Sequence, residues 1–99
     1  MSAHILIVED DEQVQQFVAL NLQNEGYRVS TALTGEKMFD ILTTDTVDLI
    51  ILDLNLPDAD GLNLAERIRQ TSSVPIVVTS VRKRVDDRLK ALNLGADDY

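Results

Sequence analysis

The sequence predicts a single α/β domain built on a doubly wound parallel sheet, and three observations carry that prediction. Short apolar segments rich in β-formers alternate with stretches whose apolar residues recur at helical spacing, the order expected of βαβ units with right-handed crossovers. The 99 residues are enough for one modest core and too few for two. Two of the apolar runs stop abruptly at carboxylates: His4-Ile5-Leu6-Ile7-Val8 runs into Glu9-Asp10-Asp11, and Leu49-Ile50-Ile51-Leu52 runs into Asp53. An unbroken run of this kind reads as a strand covered on both faces, as in a parallel sheet.

Each element follows in order. Residues 4 to 8 form the first strand. Val14, Phe17, Val18 and Leu22 then follow helical spacing, with Asp11 as N-cap and Gly26 as the stop. Arg28 to Leu33 gives a second strand with more alternation. Thr34-Gly35 starts a second helix that carries Met38, Ile41 and Leu42 on one face. The third strand, Asp48 to Asp53, is the most apolar and is expected to be central. It ends in Leu54-Asn55-Leu56-Pro57-Asp58-Ala59-Asp60-Gly61, a loop dense in turn residues. A third helix from about Gly61 to Gln70 buries Leu64, Ala65 and Ile68, with Asp60 as its cap. Pro75 opens a fourth strand, Ile76 to Thr79, at a position where no N–H need be donated. A last helix carries Val85, Leu89 and Leu92 and closes at Gly95. Ala96-Asp97-Asp98-Tyr99 has the look of the start of a fifth strand, and the expectation is a chain that is part of something longer.

Composition narrows the function classes. Apolar content of 44% with 26% charged residues is ordinary for a soluble domain. The net charge of −8 argues against this domain holding a phosphate backbone by itself and suits a basic partner or a metal. No cysteine is present, so neither a disulfide framework nor a thiolate metal site is available. The longest apolar runs are strand-sized, so neither a signal peptide nor a membrane span is expected, and a cytoplasmic home is the default.

The chemistry lies in the acids at the strand ends. In open α/β sheets the crevice beyond the carboxyl ends of the strands, where strand order reverses, is the ligand site. Glu9, Asp10 and Asp53 gathered there repel one another, so a cation must join them or one must hold a proton. A carboxylate can act as a nucleophile toward phosphorus, giving an aspartyl phosphate. That transfer needs in-line placement and neutralisation of the phosphoryl oxygens, commonly by Mg²⁺, for which one or two carboxylates and a carbonyl suffice. More ordinary roles stand beside these. Asp11 reads as a first-turn acid complementing a helix dipole. His4, the sole histidine, reads as structural, and Arg82-Lys83-Arg84 as a solvated face near the phosphate mouth.

The set Glu9-Asp10, Asp53, Leu56-Pro57, Asp60-Gly61, Ser80 and Gly95-Ala96-Asp97-Asp98-Tyr99, with the acid pair about 43 residues before Asp53, resembles the receiver domain of two-component response regulators. The ending resembles the OmpR/PhoB type, whose output is a winged-helix DNA-binding domain. The resemblance implies a flavodoxin-like sheet of order 2-1-3-4(-5), with the fifth strand and fifth helix missing or incomplete here. It implies that Asp53 is the phosphoacceptor and, with Asp10, a Mg²⁺ ligand. Glu9 would be a ligand through water, and the Asn55 carbonyl another ligand. Ser80 would hydrogen-bond a phosphoryl oxygen and Tyr99 would rotate inward on activation. Arg88, Asp97 and Asp98 would form cross-subunit salt bridges in a homodimer through the fourth-helix, fifth-strand, fifth-helix face. The donor would be a sensor histidine kinase, and DNA would be reached only through an output domain. Such a chain is a switch that assists its own phosphorylation and dephosphorylation rather than an enzyme with a turnover substrate.

Two features depart from that pattern. Val81 is branched where receivers usually carry Ala or Gly, which implies slower phosphorylation and hydrolysis than in a Val81→Ala variant. The lysine that receivers place three residues past the tyrosine lies beyond Tyr99. An open fourth strand is then expected to promote self-association or marginal stability. The alternative function is a phosphorylation-independent receiver acting as a protein-interaction module, opposed by the intact acid cluster. A metal-dependent phosphatase with Asp53 as nucleophile would need an acid two residues on, where Asn55 stands.

Overall fold

The computed structural model describes residues 2–54, 56, 58 and 60–79. Within them four parallel strands alternate with three helices: β1 (His4–Val8), α1 (Glu12–Asn24), β2 (Arg28–Ala32), α2 (Gly35–Thr44), β3 (Leu49–Asp53), α3 (Gly61–Thr71) and β4 (Ile76–Thr79). Strand order is β2-β1-β3-β4, as the resemblance implies. The two strands that end in acids are the two inner ones, which is why they are the most apolar: Ile5, Leu6, Ile7, Val8, Ile50 and Leu52 are all at most 3% exposed. Val8 is in register with Ala32 on one side and Leu52 on the other, and Asp53 pairs with Thr79.

Alternation divides the strand side chains between two faces. Leu6, Val8, Ile50, Leu52, Ile76 and Val78 join Met38 of α2 and Leu62, Leu64, Ala65 and Ile68 of α3 in one buried cluster. On the other face Ile7, Ile51 and Val77 meet Val14 and Val18 of α1 across an open apolar cleft. Arg67 of α3 lies over the ring of Phe39 of α2, 4.4 Å from its centroid, and ties the two helices of the first face together.

The helix boundaries follow from local chemistry. The Asp11 carboxylate accepts from the N–H groups of Gln13 and Val14 at 3.0 and 3.2 Å, Thr34 Oγ1 from Lys37 N–H at 3.1 Å, and Asp60 from Leu62 N–H at 2.9 Å. Each satisfies donors that the first helical turn leaves without partners. Gly26, at φ +94°, ends α1 in the left-handed region, and Tyr27 N–H returns to the Leu22 carbonyl.

Three expectations need correction at this level. β2 stops at Ala32, with Leu33 turned outward at 39% exposure. β3 starts at Leu49, because Asp48 is used instead as a bracket on β1: its Oδ2 accepts from His4 N–H and its own N–H donates to the His4 carbonyl, both at 2.8 Å. In α1 the inward face is rotated from the one expected. Val14 and Phe17 are 46% and 69% exposed, while Gln15 is the buried residue of the helix. The helix covers only part of its sheet face, so Val14 sits at the margin of the cleft and Phe17 beyond it. Small differences apart, α2 and α3 lie where expected, α3 running one residue longer, to Thr71. No described helix is long and apolar enough to cross a membrane. The expected last helix lies outside the described residues.

Candidate metal and phosphoacceptor site

The order β2-β1-β3-β4 places the switch point between β1 and β3, since the chain leaves β1 toward one edge and returns to build the other. The acids stand directly beyond that point. Glu9 extends the β1 ladder by one bond, its N–H donating to the Ala32 carbonyl at 3.0 Å, and Asp10 follows before α1 begins. Asp53 is the last residue of β3 and is 8% exposed. One carboxylate oxygen from each of Glu9, Asp10 and Asp53 lies within 4.8 Å of the other two. Glu9 is half-buried, Asp10 exposed and Asp53 buried, so the crevice grades from water inward to the nucleophile candidate.

The electrostatic difficulty seen in the sequence has a definite outcome here. Burial pushes the Glu9 carboxyl up to about 8, assisted by a hydrogen bond with Asp53 and by the negative charges of Asp53, Asp10 and Asp11. At neutral pH and without a cation, Glu9 therefore holds a proton against Asp53. Its Oε2 is buried with no hydrogen-bond partner. A buried carboxylate oxygen with nothing to bond, beside two further carboxylates, fits a hard divalent cation: Mg²⁺ takes oxygen ligands at about 2.0–2.1 Å and keeps several waters.

The loop after Asp53 is fixed at several points. Leu54 N–H donates to the Thr79 carbonyl and Gly61 N–H to the Leu54 carbonyl, both at 3.1 Å. Gly61 packs so closely on this turn that a Cβ there would lie 2.6 Å from the Asp53 carbonyl oxygen and 2.6 Å from Leu54 Cα. The Asp58 carboxylate reaches across to α2, accepting from Gly35 N–H at 2.9 Å and Glu36 N–H at 3.1 Å. Those two N–H groups hold the Asp58 carboxyl below the ordinary aspartate range. With Thr34, it completes the first turn of α2 and ties the loop to that helix.

The structure thus brings together Glu9, Asp10 and Asp53. Asp11 and Asp60 act as helix caps, as their positions suggest. His4 is a buried structural residue, its ring nitrogens 2.8 Å from the Thr46 carbonyl and 2.7 Å from Ser30 Oγ. Asn55, Ser80, Val81, Arg82, Lys83, Arg84, Arg88, Asp97, Asp98 and Tyr99 lie outside the described residues. Two supporting residues escaped the sequence reading. Asp58 bonds to groups 22 and 23 positions away, for which no local pattern exists. Gln15 was readable in principle, three residues before Val18 and seven before Leu22 on the inward stripe, but its polarity disguised it.

Comparison with known proteins agrees with this geometry. The profile of the family described as response regulator receiver domain matches residues 5–99. The KDP operon transcriptional regulatory protein KdpE of Escherichia coli (strain K12) is 43% identical over 96 residues, which are 97% of this chain and 43% of that protein. A crystal structure of a two-component response regulator from Clostridium difficile superposes with a TM-score of 0.97 at 32% identity, over 99% of this chain and 81% of the other. DrrB, a Thermotoga maritima OmpR/PhoB homolog, superposes with a TM-score of 0.91 at 30% identity, over 100% of this chain and 45% of its own. The chain spans about two fifths of the length of curated relatives such as KdpE.

Proposed function

The chain belongs to the response regulator receiver domain family, and from that membership we propose that Asp53 accepts a phosphoryl group from a phosphohistidine of a sensor histidine kinase in a Mg²⁺-dependent step. The modified domain then switches a DNA-binding transcriptional regulator in the cytoplasm. The observation that carries this reading is the meeting of Glu9, Asp10 and Asp53 at the switch point, with Glu9 Oε2 buried and unbonded.

The chain's own residues support the step as follows. An Asp53 carboxylate oxygen attacks phosphorus as the phosphorus–nitrogen bond of the donor breaks, the electron pair returning to the imidazole, which takes up a proton. The product is a mixed anhydride, and its hydrolysis restores the carboxylate. Burial of Asp53 at the end of a rigid inner strand holds the nucleophile in place and limits water around it. Glu9, Asp10 and Asp53 would hold the cation, with the Asn55 carbonyl added by resemblance. Bound Mg²⁺ supplies neutralisation of charge on the phosphoryl oxygens. By resemblance, Ser80 donates to a phosphoryl oxygen, and Tyr99 with Arg88, Asp97 and Asp98 belongs to the switching and pairing face. The phosphoryl charge biases a two-state equilibrium of that face.

The test is incubation of the full-length protein with acetyl phosphate and Mg²⁺, followed by intact-mass analysis beside Asp53→Asn. The expected result is one phosphate adduct on the wild type, not formed when the metal is chelated beforehand and absent from the variant. No adduct on the wild type, or an equal one on the variant, overturns the reading and favours a receiver that works through protein contacts alone.

A further inference from the structure

Gln15 is the one buried residue of α1, 7% exposed, and it is polar. Its Nε2 donates to the Ala32 carbonyl at 3.1 Å and to the Glu9 carbonyl at 3.2 Å. Ala32 ends β2 and also accepts the Glu9 N–H, so Gln15 closes the first turn of the chain beyond the β1–β2 ladder. Its own backbone N–H bonds the Asp11 carbonyl at 2.9 Å, so the same residue opens the helix that leaves the crevice. Glu9 is therefore gripped at both its N–H and its carbonyl. Its side chain is the one that meets Asp53 and Asp10.

We propose that Gln15 is a positioning residue of the acid crevice, fixing the Glu9 main chain so that the Glu9 carboxylate is presented to the cation shared with Asp10 and Asp53. The proposal rests on the reading of that crevice as a Mg²⁺ site. The chemistry suits the task. A carboxamide offers two N–H donors to two carbonyls and adds no charge to a crevice that already holds three acids. An apolar residue of the same length leaves the two carbonyls without that donor in a buried place, and the chain relaxes to find water. Groups that orient metal ligands commonly change metal affinity about 10- to 100-fold when removed. A residue that merely filled the core would change stability and leave affinity alone.

The experiment is calorimetric titration of the full-length protein with Mg²⁺, for wild type, Gln15→Met and Gln15→Arg, with metal-free thermal unfolding measured on the same samples. Gln15→Met is expected to weaken Mg²⁺ binding about tenfold or more, while Gln15→Arg, which keeps N–H donors, stays closer to the wild type. Acetyl phosphate labelling of Gln15→Met should then need more Mg²⁺ but approach the wild-type rate at saturation. Equal Mg²⁺ affinity of Gln15→Met and wild type overturns the proposal, whatever happens to the melting temperature, and leaves the assigned function standing. A wild type that binds no Mg²⁺ overturns both. Because Gln15→Met could fail to fold, the wild type is also followed by NMR: the Gln15 side-chain amide protons should be protected from exchange and shift with Mg²⁺ occupancy. Unprotected, unshifted amide protons overturn the proposal without any variant.

Discussion

Glu9 shows how one side chain resolves a local conflict in two ways. Without a cation it takes up a proton, its carboxyl raised from 4.5 to about 8 by burial, by its hydrogen bond with Asp53 and by the neighbouring acids. The folded state then binds this proton more tightly than the unfolded chain does. Between pH 4.5 and about 8 the unfolded chain has lost the proton while the folded one keeps it, so this site's contribution to stability falls as pH rises. Above about 8 the contribution is gone. Glu9→Gln cannot titrate. Urea unfolding in the presence of a chelator should find the variant more stable than the wild type by an amount that grows from pH 5 to about pH 8 and then levels. A stability difference independent of pH would mean that Glu9 is not the proton holder. The presence of an acid at this place was legible in the sequence, and so was the need for a proton or a cation. Which of the three acids holds the proton was not, because that depends on how deeply each is buried.

At the scale of elements, the turn from β3 to α3 sets where Asp53 sits, and Gly61 packs closely on that turn. A methyl group at this position meets backbone atoms at 2.6 Å, the Asp53 carbonyl oxygen and Leu54 Cα, which cannot move aside as a flexible side chain can. Gly61→Ala should therefore destabilise the domain by about 1–3 kcal/mol and slow phosphorylation of Asp53, because relief of the overlap shifts Asp53 itself. Asn63→Ala, exposed on the same helix, should stay within about 0.5 kcal/mol of the wild type and label at the wild-type rate. Similar losses in the two variants would show that the close approach does not position Asp53. The caps at Asp11 and Asp60, and the start of α2 at Thr34-Gly35, were legible because each acts within three residues of its own position. The face of α1 was not. Spacing alone favoured Val14 and Phe17, but the breadth of sheet that a helix covers is fixed by its neighbours, and here it leaves Phe17 in solvent.

For the molecule as a whole, the site depends on the two inner strands keeping their register. Ile50 is fully buried in β3, opposite Leu6 of β1 and Ile76 of β4, and belongs to the cluster shared with α2 and α3. Ile50→Ala should cost about 2–5 kcal/mol, a large part of the roughly 5–15 kcal/mol that holds a typical domain folded. Urea titration should show a lower midpoint at an unchanged m-value, and a midpoint shifted by less than the error of the fit would contradict the cluster's role. By itself the sequence determined the alternation of strands and helices, the caps, the inner position of the two apolar strands and the acids at their ends. These rest on periodicity and on contacts a few residues long, which a linear chain displays directly. Only the tertiary structure decided that the Glu9 carboxyl meets Asp53 through a hydrogen bond, that Gln15 grips Glu9 and Ala32 together, and that Asp58 reaches the start of α2. Those bonds join residues far apart in the chain, or depend on depth of burial, and packing alone creates both.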